Sequence, residues 1–164
     1  MSRSVAAQGA DVTPFAVPPL IKQVRVRCAP EAAFAAFTRD LGRWWPARTH
    51  SVRQDEATTA TLEPFAGGRI YERTGDGAPI VWGTITAWQP PTRVAFTWHP
   101  GRAADTAQTI EVTFTAVADA TDVRLVHAGW EQLGDDAQRL RDNYDGGWTL
   151  VFATRYAAHA NGGG

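Results

Sequence analysis

One amphipathic segment close to the C-terminus most constrains what this chain can fold into. Between about Asp145 and His159, large side chains recur at helical spacing on one stripe, and small or polar residues lie opposite. The stripe consists of Trp148, Val151, Phe152, Arg155, Tyr156 and His159. No other segment predicts a helix long enough to cover a sheet, so this helix must pack its aromatic stripe against the sheet that the chain forms.

The segments before this helix predict an antiparallel sheet. Apolar and polar residues alternate, or β-branched and aromatic residues cluster, in runs separated by glycine turns at 67–68 and 75–77. The runs cover residues 21–28, 58–65, 69–74, 80–88, 94–98, 110–114 and 123–127. A short helix is predicted after the first run, where Pro30 suits the first helical position. The predicted fold class is therefore α+β.

Length and composition indicate one domain. A chain of 164 residues can bury about two thirds of its unfolded surface without a metal or a disulfide. We predict a single domain over residues 20–160, between a flexible segment at 1–19 and a flexible tail at 161–164. The seven tryptophans and seven phenylalanines exceed what filling a small core requires, so some of the rings are expected to line a site.

Charge and cysteine content exclude several classes of function. The net charge is −1 and Lys22 is the only lysine, so no basic stripe predicts binding to nucleic acid. Cys28 is the only cysteine, the N-terminus lacks a signal-peptide pattern, and no apolar run is long enough to span a membrane. We therefore predict a cytoplasmic protein without a disulfide framework and without a membrane span.

Several segments, in their order along the chain, resemble one known family. They are Phe37-Thr38, Gly42-Arg43-Trp44-Trp45-Pro46, Gly67-Gly68-Arg69, Gly83-Thr84-Ile85, the run from Pro90 to Trp98, the run from Leu125 to Trp130, and Gly147-Trp148. Together they are similar to the START-like (SRPBCC) superfamily, and in particular to its branch named for the activator of Hsp90 ATPase, the homologue 1-like proteins. The resemblance covers residues 21–160.

The resemblance implies a helix-grip fold, in which a curved antiparallel sheet wraps around a long C-terminal helix, short helices follow the first strand, and a cavity lies between sheet and helix. Members of the superfamily bind lipids, steroids, polyketides or plant hormones, and some catalyse cyclisation or aromatisation. Hsp90 activation is not expected here, because the chain has no room for the namesake's separate N-terminal client-binding domain.

His127 is the sharpest candidate for chemistry. Its predicted position on the inward face of a strand would bury the imidazole among apolar rings, which lowers the pKa and leaves the ring neutral. Such a ring could orient a ligand oxygen or move a proton. The alternative is that it bonds a nearby carbonyl and only fills space.

Aromatic side chains supply most of the other candidate ligand contacts. Trp148, Phe152 and Tyr156 follow one another along the helix stripe, either as a pocket wall or as ordinary core. Trp44 and Trp45 follow the short helix, and one ring is expected to pack inward while the other faces the opening.

Arg69 and Tyr71 share one face of a strand. If that face is the concave one, their guanidinium and hydroxyl groups would suit a carboxylate ligand. The apolar residues at 80–88 occur on both sides of their strand, so the sequence does not decide which face is concave. The full set of candidate ligand-binding residues is Trp44, Trp45, Arg69, Tyr71, Trp82, Trp98, His127, Trp148, Phe152 and Tyr156.

The strand acids Glu72 and Glu111 are predicted to be exposed. No zinc, phosphate-loop or nucleophile-elbow motif occurs, so neither a metal nor a cofactor is predicted.

Three functions stay open from the sequence. The first is a carrier with no or weak catalysis that binds a small, mostly apolar molecule, with His127, Tyr71 or Arg69 giving orientation. The second is an enzyme of the cyclase, aromatase or hydratase kind that uses His127 as its general base. The third is a co-chaperone-like interaction module that docks through exposed aromatic residues and has a filled cavity. A homodimer also stays open.

Overall fold

A computed structural model describes residues 17–162 and shows one antiparallel sheet of seven strands. The strands are β1 (Leu20–Val26), β2 (Thr58–Leu62), β3 (Arg69–Thr74), β4 (Ile80–Gln89), β5 (Arg93–Trp98), β6 (Gln108–Val117) and β7 (Ala120–Ala128). Their order is β1-β7-β6-β5-β4-β3-β2, and the sheet curls into a half-barrel. The predicted α+β helix-grip fold is therefore confirmed.

Two α-helices after β1, a long C-terminal helix and two 3-10 helices, Ala104–Thr106 and Trp130–Asp136, complete the domain. Helices α1 (Pro30–Phe37) and α2 (Leu41–Trp44) connect β1 to the rest of the sheet. The C-terminal helix runs from α3 (Ala137–Trp148) through a π-helical segment (Thr149–Tyr156) into α4 (Ala157–Ala160). Among residues 17–162, no helix is both long and apolar enough to cross a membrane.

The C-terminal helix is longer than the sequence pattern predicts, since it begins at Ala137 and not near Asp145. Residues 137–147 are mostly polar and end in two glycines, and only Ala137, Leu140 and Tyr144 continue the apolar side of the helix through this stretch. The residues from 137 to 141 are good helix formers, but the stretch carries too few large apolar side chains to predict an amphipathic helix. Trp148 consequently lies in the middle of the helix and not in its first turn.

The predicted alternation along the central strands is reflected in their register. Val94 of β5 pairs with Val112 of β6, which in turn pairs with Leu125 of β7, and all three side chains are fully buried. Successive side chains of a strand point to opposite faces, so this row places the apolar residues of three strands on the concave face of the sheet.

Irregular backbone in β4 lets this strand change direction between its two neighbours. The register shifts opposite Ile70/Tyr71 and again between Ile85 and Ala87. Gly83 is required in this stretch, because a Cβ atom there would lie 1.8 Å from the Thr97 carbonyl oxygen. Bulges of this kind bend a strand and so help the sheet to curl.

Side chains fill one half of the grip, by which we mean the space between the C-terminal helix and the concave face of the sheet. Phe37 of α1 makes edge-to-face contacts with Phe152 and Tyr156, and Trp44 packs against Tyr156 at 5.3 Å between ring centroids. The Tyr156 hydroxyl donates to the Ala33 carbonyl at 2.8 Å, and burial raises the pKa of this phenol far above its usual value. This half of the helix therefore anchors α1 to the sheet.

The predicted flexible ends fall largely outside the described residues, which exclude 1–16 and 163–164. Within the described part of the first segment, the carbonyl oxygens of Pro18 and Pro19 accept hydrogen bonds from the Arg141 guanidinium at 2.7 and 2.9 Å. These contacts tie the chain before β1 to α3.

Glu72 of β3 is fully buried, and the prediction that it is exposed is wrong. It follows Ile70 on the inward face of β3, where its carboxylate accepts hydrogen bonds from the Val52 and Arg53 amides at 2.7 and 2.9 Å and from Trp82 Nε1 at 2.7 Å. Three donors satisfy the buried charge, so Glu72 fixes the loop between α2 and β2 to the sheet.

Replacing Glu72 by Gln should therefore destabilise the protein by at least about 2 kcal/mol, because an amide turns one acceptor atom into a donor that faces other donors. Urea unfolding measures this change, and hydrogen exchange should show faster exchange at the Val52 and Arg53 amides. The matched control is Glu111→Gln, since Glu111 is paired with Arg93 on the surface and its loss should cost less than about 1 kcal/mol. Equal losses in the two variants would contradict the role assigned to Glu72.

Candidate functional site

An open cavity of about 340 Å³ lies at the other end of the grip. It is bounded by α3, the start of the π-helical segment, the loop after α2 and the ends of β4 and β5. The lining residues are Trp45, His50, Ser51, Val52, Trp82, Trp98, Pro100, Gly101, Tyr144, Gly147, Trp148 and Val151. We call this cavity the tryptophan pocket, and its volume lies near the lower end of the range that small-molecule sites occupy.

The pocket exists because the helix stripe lacks a side chain at one position. Tyr144, Gly147, Trp148 and Val151 are spaced three or four residues apart and line the same wall. A Cβ atom added at Gly147 would meet nothing within 4 Å. The large residues further along the helix fill the grip, whereas Gly147 leaves it open.

Four tryptophans form a continuous aromatic wall. Ring centroids are 5.1 Å apart for Trp45 and Trp82, 5.5 Å for Trp82 and Trp98, and 5.8 Å for Trp98 and Trp148. Trp45 and Trp148 close the cluster at 5.9 Å. These tilted and edge-to-face geometries are the favoured ones for aromatic pairs, so the rings support one another around the cavity.

Each indole N–H of this wall donates to a partner in the protein. The four acceptors are the His50 carbonyl for Trp45 at 2.7 Å, the Glu72 carboxylate for Trp82 at 2.7 Å, the Tyr144 hydroxyl for Trp98 at 3.2 Å, and His127 Nδ1 for Trp148 at 3.0 Å. The hydrogen bonds fix the orientation of every ring. They also leave the pocket with apolar indole surfaces and no free indole donor.

His127 lies outside the pocket lining, with its ring fully buried. Because Trp148 donates to Nδ1, the proton of the neutral ring sits on Nε2, which donates to Gln108 Oε1 at 3.1 Å. The Gln108 amide in turn donates to the Thr106 carbonyl at 2.8 Å, and Trp130 stacks on the imidazole at 4.0 Å. Both ring nitrogens are thus occupied.

Burial lowers the pKa of His127 to about 3. The ring is therefore neutral at physiological pH, and its one acceptor nitrogen already holds the Trp148 N–H. In this arrangement His127 positions Trp148 and has no free lone pair with which to take a proton from a ligand.

Stability should fall as the pH drops from about 6.5 towards 3, because the unfolded chain protonates His127 and the folded protein does not. At pH 5 this group alone should cost about 2 kcal/mol relative to pH 7. Urea unfolding of the wild type and of His127→Gln across this range isolates the effect, since the variant lacks the titrating group. Identical slopes for the wild type and His127→Gln would contradict the assignment.

The remaining predicted contacts separate into two groups. Trp44, Phe152 and Tyr156 are buried in the filled half of the grip, where Trp44 Nε1 donates to the Ala36 carbonyl at 2.7 Å. Of the adjacent tryptophans, Trp44 therefore packs inward and Trp45 lines the pocket.

Arg69 and Tyr71 do not reach the pocket. They alternate with the inward-facing Ile70 and Glu72, so they point to the outer face of the sheet. The Arg69 guanidinium pairs with Glu63 at 3.3 Å and lies 5.1 Å from the centre of the Tyr71 ring. We do not retain these two residues in the proposed site.

Eight residues of the pocket lining were not among the predicted ligand contacts: His50, Ser51, Val52, Pro100, Gly101, Tyr144, Gly147 and Val151. The signal for Tyr144 and Gly147 was their spacing of four and one residues before Trp148, which places them on the same stripe once the helix is known to start earlier. His50 lies in an irregular loop and carried no pattern. No group of three or more potential metal ligands occurs among residues 17–162.

Comparisons with known proteins agree with this architecture. A family model described as activator of Hsp90 ATPase homolog 1-like protein matches residues 27–158. Txn09, an anthrahydroquino-gamma-pyrone synthase solved as a complex, is 34% identical; the match covers 88% of this chain and 98% of Txn09, with a TM-score of 0.57. No curated protein matches the chain.

Two more distant structures share the fold. The Aha1 dimer from Colwellia psychrerythraea is 18% identical, and the match covers 90% of this chain and all of that one (100%), with a TM-score of 0.65. CalU16 from Micromonospora echinospora is 17% identical over 88% of this chain and 74% of its own, with a TM-score of 0.61. The family match spans most of the chain, and the helix-grip fold agrees with it; the protein belongs to the activator of Hsp90 ATPase homolog 1-like family.

Proposed function

We propose that this protein binds a small hydrophobic or aromatic molecule in the tryptophan pocket. The observation that carries the proposal is an open cavity of about 340 Å³ whose wall is built from four tryptophan rings with satisfied N–H groups. Apolar pockets with a few polar groups are the usual form of small-molecule sites.

Two further observations support this function. Val52, at the loop edge of the pocket, is 42% exposed although its side chain is apolar, so a ligand there would cover hydrophobic surface. Txn09, which is 34% identical, is named for the synthesis of a fused-ring aromatic compound. A related pocket in the present chain would suit ligands of similar shape and polarity.

Filling the space beside Gly147 should weaken binding. Gly147→Phe places a ring in the pocket and should weaken binding by at least about 10-fold, because the ligand then competes with the new side chain for the cavity. Tryptophan fluorescence, titrated with fused-ring aromatic compounds, polyketides, lipids and hydrophobic acids, measures the affinity.

The matched control is Gly146→Phe, since Gly146 is the neighbouring helical glycine, is exposed, and does not line the pocket. It should bind like the wild type. The proposal would be wrong if no class of compound changed the emission of the wild type, or if both variants bound as tightly as it does.

A second candidate is an enzyme of the cyclase kind, which the identity to a synthase favours. His127 is poorly placed to be its general base, since both of its nitrogens are engaged and it lies outside the pocket lining. Turnover of partly cyclised polyketide precursors that is lost in Gly147→Phe and kept in His127→Gln would support catalysis in the pocket without this base.

The co-chaperone-like role is less well supported. It predicts a grip filled by side chains, and only the half around Phe152 and Tyr156 has that property. The dimeric Aha1 relative makes a homodimer worth testing by size-exclusion chromatography, alone and with Hsp90.

A further inference from the structure

We infer that the tryptophan pocket selects an uncharged aromatic ligand that carries one hydrogen-bond acceptor, and that this acceptor binds the hydroxyl group of Tyr144. The inference rests on the proposed function and specifies the ligand chemistry of the same site.

The lining favours an uncharged ligand. No Asp, Glu, Lys or Arg side chain is among the lining residues, and most of the surface consists of indole rings, Pro100, Val52 and Val151. Arg102 is exposed in the loop after β5 and acts on Tyr144 only through its electric field. A charge buried in such a site without a partner is strongly unfavourable.

Few polar groups of the pocket are free to bind a ligand. The four indole N–H groups have acceptors, as described above. The Ser51 hydroxyl donates to the Ala47 carbonyl and accepts from the Gln54 amide, so it is also engaged. His50 Nδ1 shares a hydrogen bond with the Thr49 hydroxyl at 2.7 Å, which leaves only its Nε2 at the partly exposed loop.

Tyr144 is the group best suited to orient a ligand. Its hydroxyl oxygen accepts the Trp98 N–H at 3.2 Å, while its own proton has no acceptor among residues 17–162. Burial raises the pKa of the phenol, so the hydroxyl stays protonated and remains a donor at neutral pH. A ligand oxygen that accepts this proton would complete a chain from Trp98 through Tyr144 to the ligand, in which each bond strengthens the next.

The position of Tyr144 on the wall is fixed from several sides. Its ring makes an edge-to-face contact with His127 at 5.0 Å, packs on Trp130 at 5.6 Å and is inclined by 28° to the Trp148 ring at 6.3 Å between centroids. A fixed donor in an apolar site discriminates between ligands, because a ligand without an acceptor leaves the hydroxyl unpaired once water is displaced.

A matched pair of probes tests the inference. Fluorene and 9-fluorenone have the same ring framework, and only fluorenone carries a carbonyl acceptor. The wild type should bind fluorenone about 3- to 10-fold more tightly than fluorene, as one neutral hydrogen bond allows. Tyr144→Phe should remove this preference, and it should bind fluorene at least as tightly as the wild type does, because fluorene leaves no hydroxyl unpaired in the variant. Retained binding of fluorene also shows that the pocket of the variant is intact.

Two controls separate Tyr144 from other groups. Tyr71→Phe makes the same substitution on the outer face of the sheet and should retain the wild-type preference. The anion 9-fluorenone-2-carboxylate should bind at least about 10-fold more weakly than fluorenone, because its charge finds no partner in the lining.

The possible results separate this inference from the function on which it rests. If both probes bind, Gly147→Phe blocks them, and Tyr144→Phe keeps the fluorenone preference, the role of Tyr144 is wrong while ligand binding stands. Tighter binding of the carboxylate than of fluorenone would overturn the selection for an uncharged ligand. If neither probe binds the wild type, the ligand chemistry inferred here is wrong; if the wider panel also fails, the binding function falls with it.

Discussion

The whole molecule depends on one helix covering the concave face of a seven-stranded sheet. The apolar rows of β5, β6 and β7 need a cover, and the C-terminal helix supplies it with a single stripe of side chains. The size of the side chain at each turn of the stripe decides whether the space between the helix and the sheet is filled. Phe152 and Tyr156 fill the space under the later turns, and Gly147 leaves the space beside Trp148 empty. The size of the side chains along this one helix therefore decides where the space above the sheet is filled and where a cavity remains.

Every indole N–H group of the pocket wall donates a hydrogen bond to another group of the protein. Each tryptophan is held by a hydrogen bond to a different element: the loop after α2, β3, α3 and β7. Rings fixed in this way lose little conformational freedom when a ligand arrives, and preorganisation of this kind reduces the entropic cost of binding. His127 belongs to this supporting shell, since its Nδ1 atom holds Trp148 and its Nε2 atom is held by Gln108.

Periodicity and family resemblance predicted the fold because both depend on local pattern. The period-two spacing of large apolar residues, as in Ile110, Val112 and Phe114, predicted the strands and their buried face, and the resemblance supplied the arrangement of helix on sheet. The start of the helix was missed because residues 137–147 are mostly polar and include two glycines, so the few apolar side chains among them gave no clear amphipathic signal.

The site was predictable only in part. Trp45, Trp82, Trp98 and Trp148 were among the predicted contacts, and they line the pocket. Trp44 has the same chemistry as Trp45, and only the direction of its side chain at the end of α2 places it in the core. Glu72 was expected in solvent because a carboxylate on a strand is usually exposed. Its burial depends on two amides from a loop some twenty residues earlier, which no local pattern reveals.

The shared carboxylate of Glu72 has a consequence for how the pocket responds to its contents. One oxygen of Glu72 accepts both from Trp82, which forms part of the wall, and from Val52, which forms part of the edge, so these two groups are oriented by the same atom. A molecule that displaced the indole of Trp82 would therefore act on the same oxygen atom that holds the loop. The wall of the cavity and the loop at its edge share one anchoring atom, so the geometry of one constrains the geometry of the other.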